Sequence, residues 1–143
     1  MPTTFTNNFQ NIVDKLKSIF RAEFGATLPI FVGMDAPNGT QYLRLIPRRS
    51  ILSEYTATSE VREYEFEIVL TFKDVNTTEK GLEQVLRLIS RIESLIMDNI
   101  TMTLSGSTKA FDCRIESTEL SESSDTGYTV FFDYRCQHMG NLL

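Results

Sequence analysis

The sequence predicts an α+β domain: a mainly antiparallel sheet with two helices packed on one face, in the order α-β-β-β-α-β-β. Two segments place their apolar residues at the 3.6-residue period of a helix. The segment REYEFEIVLTF, residues 62–72, alternates large apolar residues with glutamates, as a half-buried strand does. The last third has the pattern of a hairpin. We expect a single domain, residues 1–143, because this length suffices for one hydrophobic core.

The first element is predicted to be a helix that lies on the core with one side in water. Asn7 and Gln10 have the spacing of an N-terminal capping pair, and Gly25 provides a stop. The apolar stripe of this helix consists of Phe5, Phe9, Ile12, Val13, Leu16, Ile19, Phe20 and Phe24.

Two short strands, 28–33 and 41–47, are predicted between this helix and the long strand 61–73. The intervening segment 48–59 is too long for a tight hairpin, so it predicts a loop. It nevertheless carries apolar residues, and long apolar loops in compact domains are commonly functional. We expect the loop to be poorly ordered alone and to bury its apolar residues against a neighbour. The predicted subunit interface comprises Arg48, Arg49, Ile51, Leu52 and Tyr55.

The long strand 61–73 is predicted to turn alternate side chains to opposite faces of the sheet. Tyr64, Phe66 and Ile68 would face the helices, which leaves the opposite face open and acidic. The residues of that acidic face are Glu63, Glu65 and Glu67. A solvated sheet face is the plain interpretation of such a pattern.

The second helix is predicted from about residue 77 to residue 98. Leu88 and Leu95 lie about 100° from the centre of its main stripe, so we expect this helix to contact the sheet along one side and the first helix or another subunit along the other. The main stripe consists of Leu82, Val85, Leu86, Ile89, Ile92 and Ile96.

The closing hairpin is predicted with the loop ESSD, residues 122–125, and with Ser121 opposite Thr126. This register places a matched apolar set on one side of the hairpin, with Ile115 opposite Phe132. It also places two pairs of opposite charge on the other side. The predicted pairs are Asp112 with Arg135, and Arg114 with Asp133.

The net charge of −5 argues against a DNA-binding module, because an acidic surface repels phosphate backbones. The longest apolar run is only a few residues, so we expect no membrane partner. The N-terminus lacks the charged and apolar regions of a signal peptide, which predicts a cytosolic site of synthesis. In that compartment Cys113 and Cys136 are expected to be free buried thiols.

No pattern of residues indicates a catalytic, metal or cofactor site. His138 is the only histidine, and we interpret it as a surface or interface residue. The alternative is a catalytic role, in which this histidine forms a nucleophilic pair with Cys113 or Cys136. No third group that would orient such a pair is evident. SGSTKAF (105–111) does not match the phosphate loop, and the acidic residues near 116–125 lack calcium-loop spacing. We therefore expect no enzymatic activity and no cofactor.

The chain as a whole resembles the tail terminator (tail completion) proteins of long-tailed bacteriophages. The resemblance covers nearly the whole chain. It lies in the order of the elements and in the general pattern of their residues, not in an invariant motif. It is carried by NIVDKLKSIF followed by TLPIFVG, by QYLRLIPRRS with its long loop, by REYEFEIVLTF, by the helix 77–98, and by RIESTELSESSDTGYTVFFDYRCQ.

The resemblance implies a structural protein of the virion, assembled in the host cytoplasm. Members of that family form a hexameric ring that caps the tail tube, stops its growth and meets the head-side connector, with DNA passing through the middle without specific binding. It also suggests that Glu63, Glu65 and Glu67 line or border the lumen, since carboxylates repel phosphates at short range. A neck or head–tail connector protein, a module that binds a host protein through 48–59, and a small enzyme remain the alternatives.

Overall fold

The structure of the protein, a computed structural model, describes residues 6–33, 41–72, 79–105, 108–123 and 127–141. It contains two α-helices and a six-stranded mixed sheet, which confirms the predicted fold class. A short 3₁₀ turn, Gly25–Thr27, follows the first helix. The elements are α1 (Asn8–Phe24), β1 (Ile30–Val32), β2 (Gln41–Tyr55), β3 (Ser59–Phe72), α2 (Glu79–Met97), β4 (Met102–Thr103), β5 (Lys109–Ser123) and β6 (Gly127–Asn141).

The strands lie in the order β1-β2-β3-β6-β5-β4, so β3 and β6 form the middle of the sheet. All described pairs are antiparallel except β1 with β2, which is parallel. The alternation of β3 holds as predicted: Phe66 and Ile68 lie opposite Tyr134 and Phe132 of β6 and are fully buried with them. The two-residue strand β4 was not predicted, because so short a strand has no detectable period.

Helix α1 begins and packs largely as predicted. The side chain of Asn7 accepts a hydrogen bond from the backbone N–H of Gln10 at 3.1 Å, but the Gln10 amide donates to Asp14 instead of returning the bond. Gly25 ends the helix with φ near +59°, a left-handed conformation that favours glycine. The buried stripe is Ile12, Val13, Leu16, Phe20 and Phe24, whereas Phe5 lies outside the described residues.

Helix α2 packs on the same core and also contacts α1, as its broad apolar pattern predicts. Leu88 and Leu95 are partly buried against the core. Arg91 joins the two helices: its Nε donates to the Glu23 carboxylate at 2.8 Å, and its guanidinium lies 4.6 Å from the centre of the Phe24 ring. No helix in the described residues is long and apolar enough to cross a membrane.

The prediction of a loop at 48–59 is wrong. Strand β2 continues to Tyr55, β3 begins at Ser59, and Thr56 and Ser59 close a tight connection through a backbone bond of 2.8 Å. Two register shifts, between Pro47 and Arg49 and between Leu52 and Glu54, interrupt the alternation of β2. These bulges hide the period of two that identifies a strand, and they explain the error.

The predicted register of the closing hairpin is also wrong. Ile115 lies opposite Tyr134, with Phe132 only diagonal to it, and Ser121 lies opposite Thr129. Two shifts in β5, one of them next to Asp112 with φ of 53°, displace the pairing progressively towards the turn. Such bulges cannot be inferred from side-chain pairing alone. Residues 124–126 lie outside the described residues.

Cys113 and Cys136 are free, buried thiols, as predicted. They lie in the core beside Tyr134, whose hydroxyl donates to the Met102 sulfur at 3.8 Å. The hydrogen bond with Cys113 and burial both raise the pKa of the Cys136 thiol. A thiol held protonated is a poor nucleophile, so Cys136 is suited to packing.

Candidate functional site

A network of arginines and carboxylates occupies the sheet face opposite the helices, and we call it the ionic face. Glu63, Glu65 and Glu67 alternate along β3 and all point to this face. Each of the three is paired with an arginine from another strand of the sheet. The arginines of the ionic face are Arg48 and Arg49 from β2, Arg114 from β5 and Arg135 from β6.

Glu65 is the centre of this network. Arg49 donates two hydrogen bonds to it, from Nε to Oε2 at 2.5 Å and from Nη2 to Oε1 at 3.2 Å. Arg135 forms an ion pair with Oε1 at 3.4 Å. The Glu65 side chain is only 9% exposed, whereas that of Arg49 is 61% exposed. The hydrogen bond and the charge of Glu65 raise the pKa of Arg49. The carboxylate is therefore shielded from water by the arginines above it.

Glu63 and Glu67 are held from the two sides of β3. Arg48 pairs with Glu67. Arg114 reaches Glu63 at 2.7 Å while it also contacts Glu116 at 2.5 Å and the Asp112 carboxylate at 3.2 Å. Although burial lowers the pKa of Arg114, its hydrogen bonds to Glu63 and Glu116 outweigh that effect and raise it.

The predicted charge pairs Asp112–Arg135 and Arg114–Asp133 are not formed, because the bulges in β5 place Arg114 opposite Arg135. Arg135 instead contacts Asp133 on its own strand at 3.1 Å. In the described part of the chain, the ionic face contains four arginines, and six carboxylates contact them. The face is therefore weakly acidic and internally paired, not the open acidic wall that the sequence predicts.

The far end of the β2–β3 hairpin carries three exposed apolar residues, and we call it the ribbon tip. Ile51, Leu52 and Tyr55 are 36, 46 and 69% exposed, although all three belong to a regular strand. Leu52 and Tyr55 lie opposite Arg62 and Glu60, which places them on the helix side of the sheet. The predicted interface residues thus fall into two groups: Arg48 and Arg49 on the ionic face, and the apolar residues at the ribbon tip.

An apolar groove lies near the opposite edge of the sheet, between the end of α2 and β5. Its volume is about 260 Å³. Met97 and Ile100 on its rim are largely exposed, whereas Ile96 and Cys113 form its buried floor. The sequence analysis missed this groove, although the apolar residues at the end of α2 were a signal for it.

His138 is buried in β6, opposite Arg62 and Ala110, so a surface position for it is wrong. Burial lowers its pKa, and its Nε2 has no hydrogen-bond partner among the described residues. The same residues contain no group of three or more side chains suited to hold a metal ion.

Comparisons with known proteins bear on the fold alone. No protein-family model matches the chain, and no curated protein matches it by sequence. Several solved structures match the fold, and one of them superposes with a TM-score of 0.62 over 94% of this chain and 96% of the other chain, at 15% sequence identity. The name of that protein states no activity or partner. The arrangement of helices and sheet is therefore similar to one already observed.

Proposed function

We propose that this protein is a structural virion component, a phage tail terminator that forms a ring, caps the tail tube and joins it to the head-side connector. The observation that carries the proposal is the ribbon tip. Ile51, Leu52 and Tyr55 are exposed on a hydrogen-bonded strand, so they are already positioned for a partner. Preorganised apolar residues lose little conformational entropy on binding, which favours a stable assembly.

The two faces of the sheet support the same proposal. The helices cover one face, and the opposite face presents side chains that are charged but already paired with one another. In a ring that conducts DNA, such a face borders the lumen without holding the phosphates, because the four arginines of the network are occupied by carboxylates. Arg48 and Arg49 contribute to this face as well as to the subunit interface.

The proposal is tested by adding the purified protein to growing tail tubes. We expect tubes to stop at a defined length with a ring at one end, seen by electron microscopy. The doubly substituted protein Ile51→Ser, Leu52→Ser should lose this effect while its own melting temperature changes little. Tubes that elongate equally with and without the wild-type protein would contradict the proposal.

A further inference from the structure

The long strands at the two sides of the sheet each lack a neighbour along most of one edge. Strand β1 pairs only with Leu43–Leu45 of β2, and β4 pairs only with Lys109–Ala110 of β5. In the described part of the chain, residues 46–55 and residues 114–123 therefore pair on one side only. Their outward N–H and C=O groups are available to another strand.

The direction of the strands determines how two copies can meet. β2, β3, β6 and β5 are successively antiparallel, so β2 and β5 run in opposite directions. If copies are related by rotation about an axis along the strands, β5 of one copy meets β2 of the next in antiparallel order. The sheet then continues across the junction with unbroken alternation.

We propose that copies of this chain join edge to edge, with β2 of one copy added to β5 of the next, residues 48–54 opposite residues 114–120. The paired segment ends there because the Cys113 N–H already donates to the Ile100 carbonyl at 2.9 Å. The inference rests on the proposed function, since it names the two surfaces that would close the ring. In this register Arg49 lies opposite Glu119 on the ionic face, and Ser50 lies opposite Thr118 on the helix side.

The charges of the two edges are complementary. Residues 46–55 contain two arginines and one glutamate, whereas residues 114–123 contain one arginine and three glutamates. Pairing of β5 with β5 would oppose acidic residues, so contact between unlike edges is favoured over a symmetric dimer. Parallel pairing of β2 with β5 would require one copy to be turned over. Its Arg48 and Arg49 would then lie against the apolar groove of the other copy.

The apolar surfaces match on the same side of the sheet. Leu52 and Tyr55 lie on the helix side of β2, and the groove lies on the helix side of β5, between that strand and α2. The antiparallel register brings Tyr55 opposite Cys113, at the floor of the groove. An aromatic residue that fills an apolar pocket typically contributes much of the binding free energy at an interface.

The bulges limit which strands can pair with these edges. Each edge strand contains two register shifts, which interrupt the flat array of peptide groups that a foreign strand would need. A partner must therefore match both bulges.

Two exposed substitutions with matched controls test the proposal. Leu52→Asp alters the ribbon tip and Met97→Asp alters the groove. Met139→Asp and Leu86→Asp introduce the same charge at exposed apolar positions of β6 and α2 outside both surfaces. By sedimentation and native mass spectrometry, we expect each test variant to self-associate at least tenfold more weakly, and each control to remain within twofold of the wild type. Test variants that assemble like their controls would overturn the proposal.

A mixture of the two test variants distinguishes unlike edges from like edges. Each variant keeps one intact edge, so Leu52→Asp and Met97→Asp together should form dimers and no larger species. Larger rings in that mixture, or no dimers at all, would contradict head-to-tail pairing.

Cross-linking provides a direct measurement. The double variant Tyr55→Cys, Met97→Cys should yield a ladder of covalent multimers under mild oxidation, because β3 and β6 separate the two positions within one copy. All three proteins carry Cys113→Ser as well, because the proposed register sets position 55 opposite the free thiol of Cys113. In that background, either single variant should give no ladder. Rings that arrest tube growth but are insensitive to these changes would refute the edge pairing and leave the proposed function standing. A protein that neither assembles nor arrests tubes would refute both.

Discussion

The side chain of Glu65 shows how a charge can be retained in an almost buried position. Its two oxygens accept hydrogen bonds from Arg49 on β2, and Arg135 on β6 forms an ion pair with Oε1 at 3.4 Å. The arginines keep contact with water while the carboxylate does not. The ion pair of Glu65 with Arg49 stabilises the sheet less than the burial of Glu65 would suggest, because Arg49 remains hydrated.

We predict that Glu65→Gln lowers the free energy of unfolding by about 1–2 kcal/mol, because Arg49 would lose a charged acceptor while remaining in place. Glu67→Gln is the matched control, since it breaks one pair at a more exposed carboxylate, and it should cost less than about 1 kcal/mol. Urea denaturation of the two variants measures the difference. Equal effects would show that the central position of Glu65 has no energetic role.

His138 predicts a dependence of stability on pH. Burial lowers its pKa below the usual value of 6.5, while the charge of Glu60 acts in the opposite direction. Below pH 6.5 the unfolded chain therefore binds a proton that the folded protein resists, so stability is lost as the pH falls towards the folded pKa. Between pH 7.5 and pH 5, the wild type should lose more unfolding free energy than His138→Gln. Parallel pH profiles would be inconsistent with this role.

At the scale of elements, the sequence correctly predicts the helices and strands in which the spacing of apolar residues is uninterrupted. The helix predicted at 77–98 is observed as Glu79–Met97, and the strand predicted at 61–73 as Ser59–Phe72. Prediction failed where a bulge changes the phase, at the second half of β2 and along β5. For the same reason, the sequence did not reveal the arginine partners in the candidate site. The three glutamates were identified from their alternation, but their arginine partners depend on a register that side-chain patterns do not reveal.

The start of α1 offers a prediction about an element. Asn7 accepts from the N–H of Gln10, whereas the Gln10 side chain contributes nothing to the cap. Asn7→Ala should therefore lower the free energy of unfolding by about 0.5–2 kcal/mol, and Asn7→Asp should preserve it. Gln10→Ala serves as the control and should be nearly neutral. Thermal denaturation followed by circular dichroism provides the comparison.

At the scale of the whole molecule, charge balance matters more than the acidity of any one strand. The four arginines of the network and the six carboxylates that contact them leave an excess of two negative charges among these ten groups. Replacing Glu63, Glu65 and Glu67 with Gln would leave an excess of one positive charge and would release arginines to bind phosphates.

We therefore predict that rings of the triple Gln variant retain DNA, and that added salt reverses the retention. Filter binding across a range of salt concentrations measures the effect. Replacing Asp14 and Asp98 with Asn and Glu83 with Gln removes the same number of charges from exposed positions on or next to the helices, outside the ionic face, and is the control. Triple-variant rings that bind no more DNA than the control would exclude a lumen bordered by this face.

The position of β3 beside β6 has a consequence for how the chain folds. Residues 59–72 pair with residues 127–141, so the middle of the sheet closes only after β6 has left the ribosome. Until then Phe66 and Ile68 lack the partners Tyr134 and Phe132 that lie opposite them in the folded sheet. Pairing over such a sequence separation is slow compared with local structure. We expect nascent chains that end before β6 to remain protease-sensitive and to require chaperones, and protection should begin only when the C-terminal strand emerges.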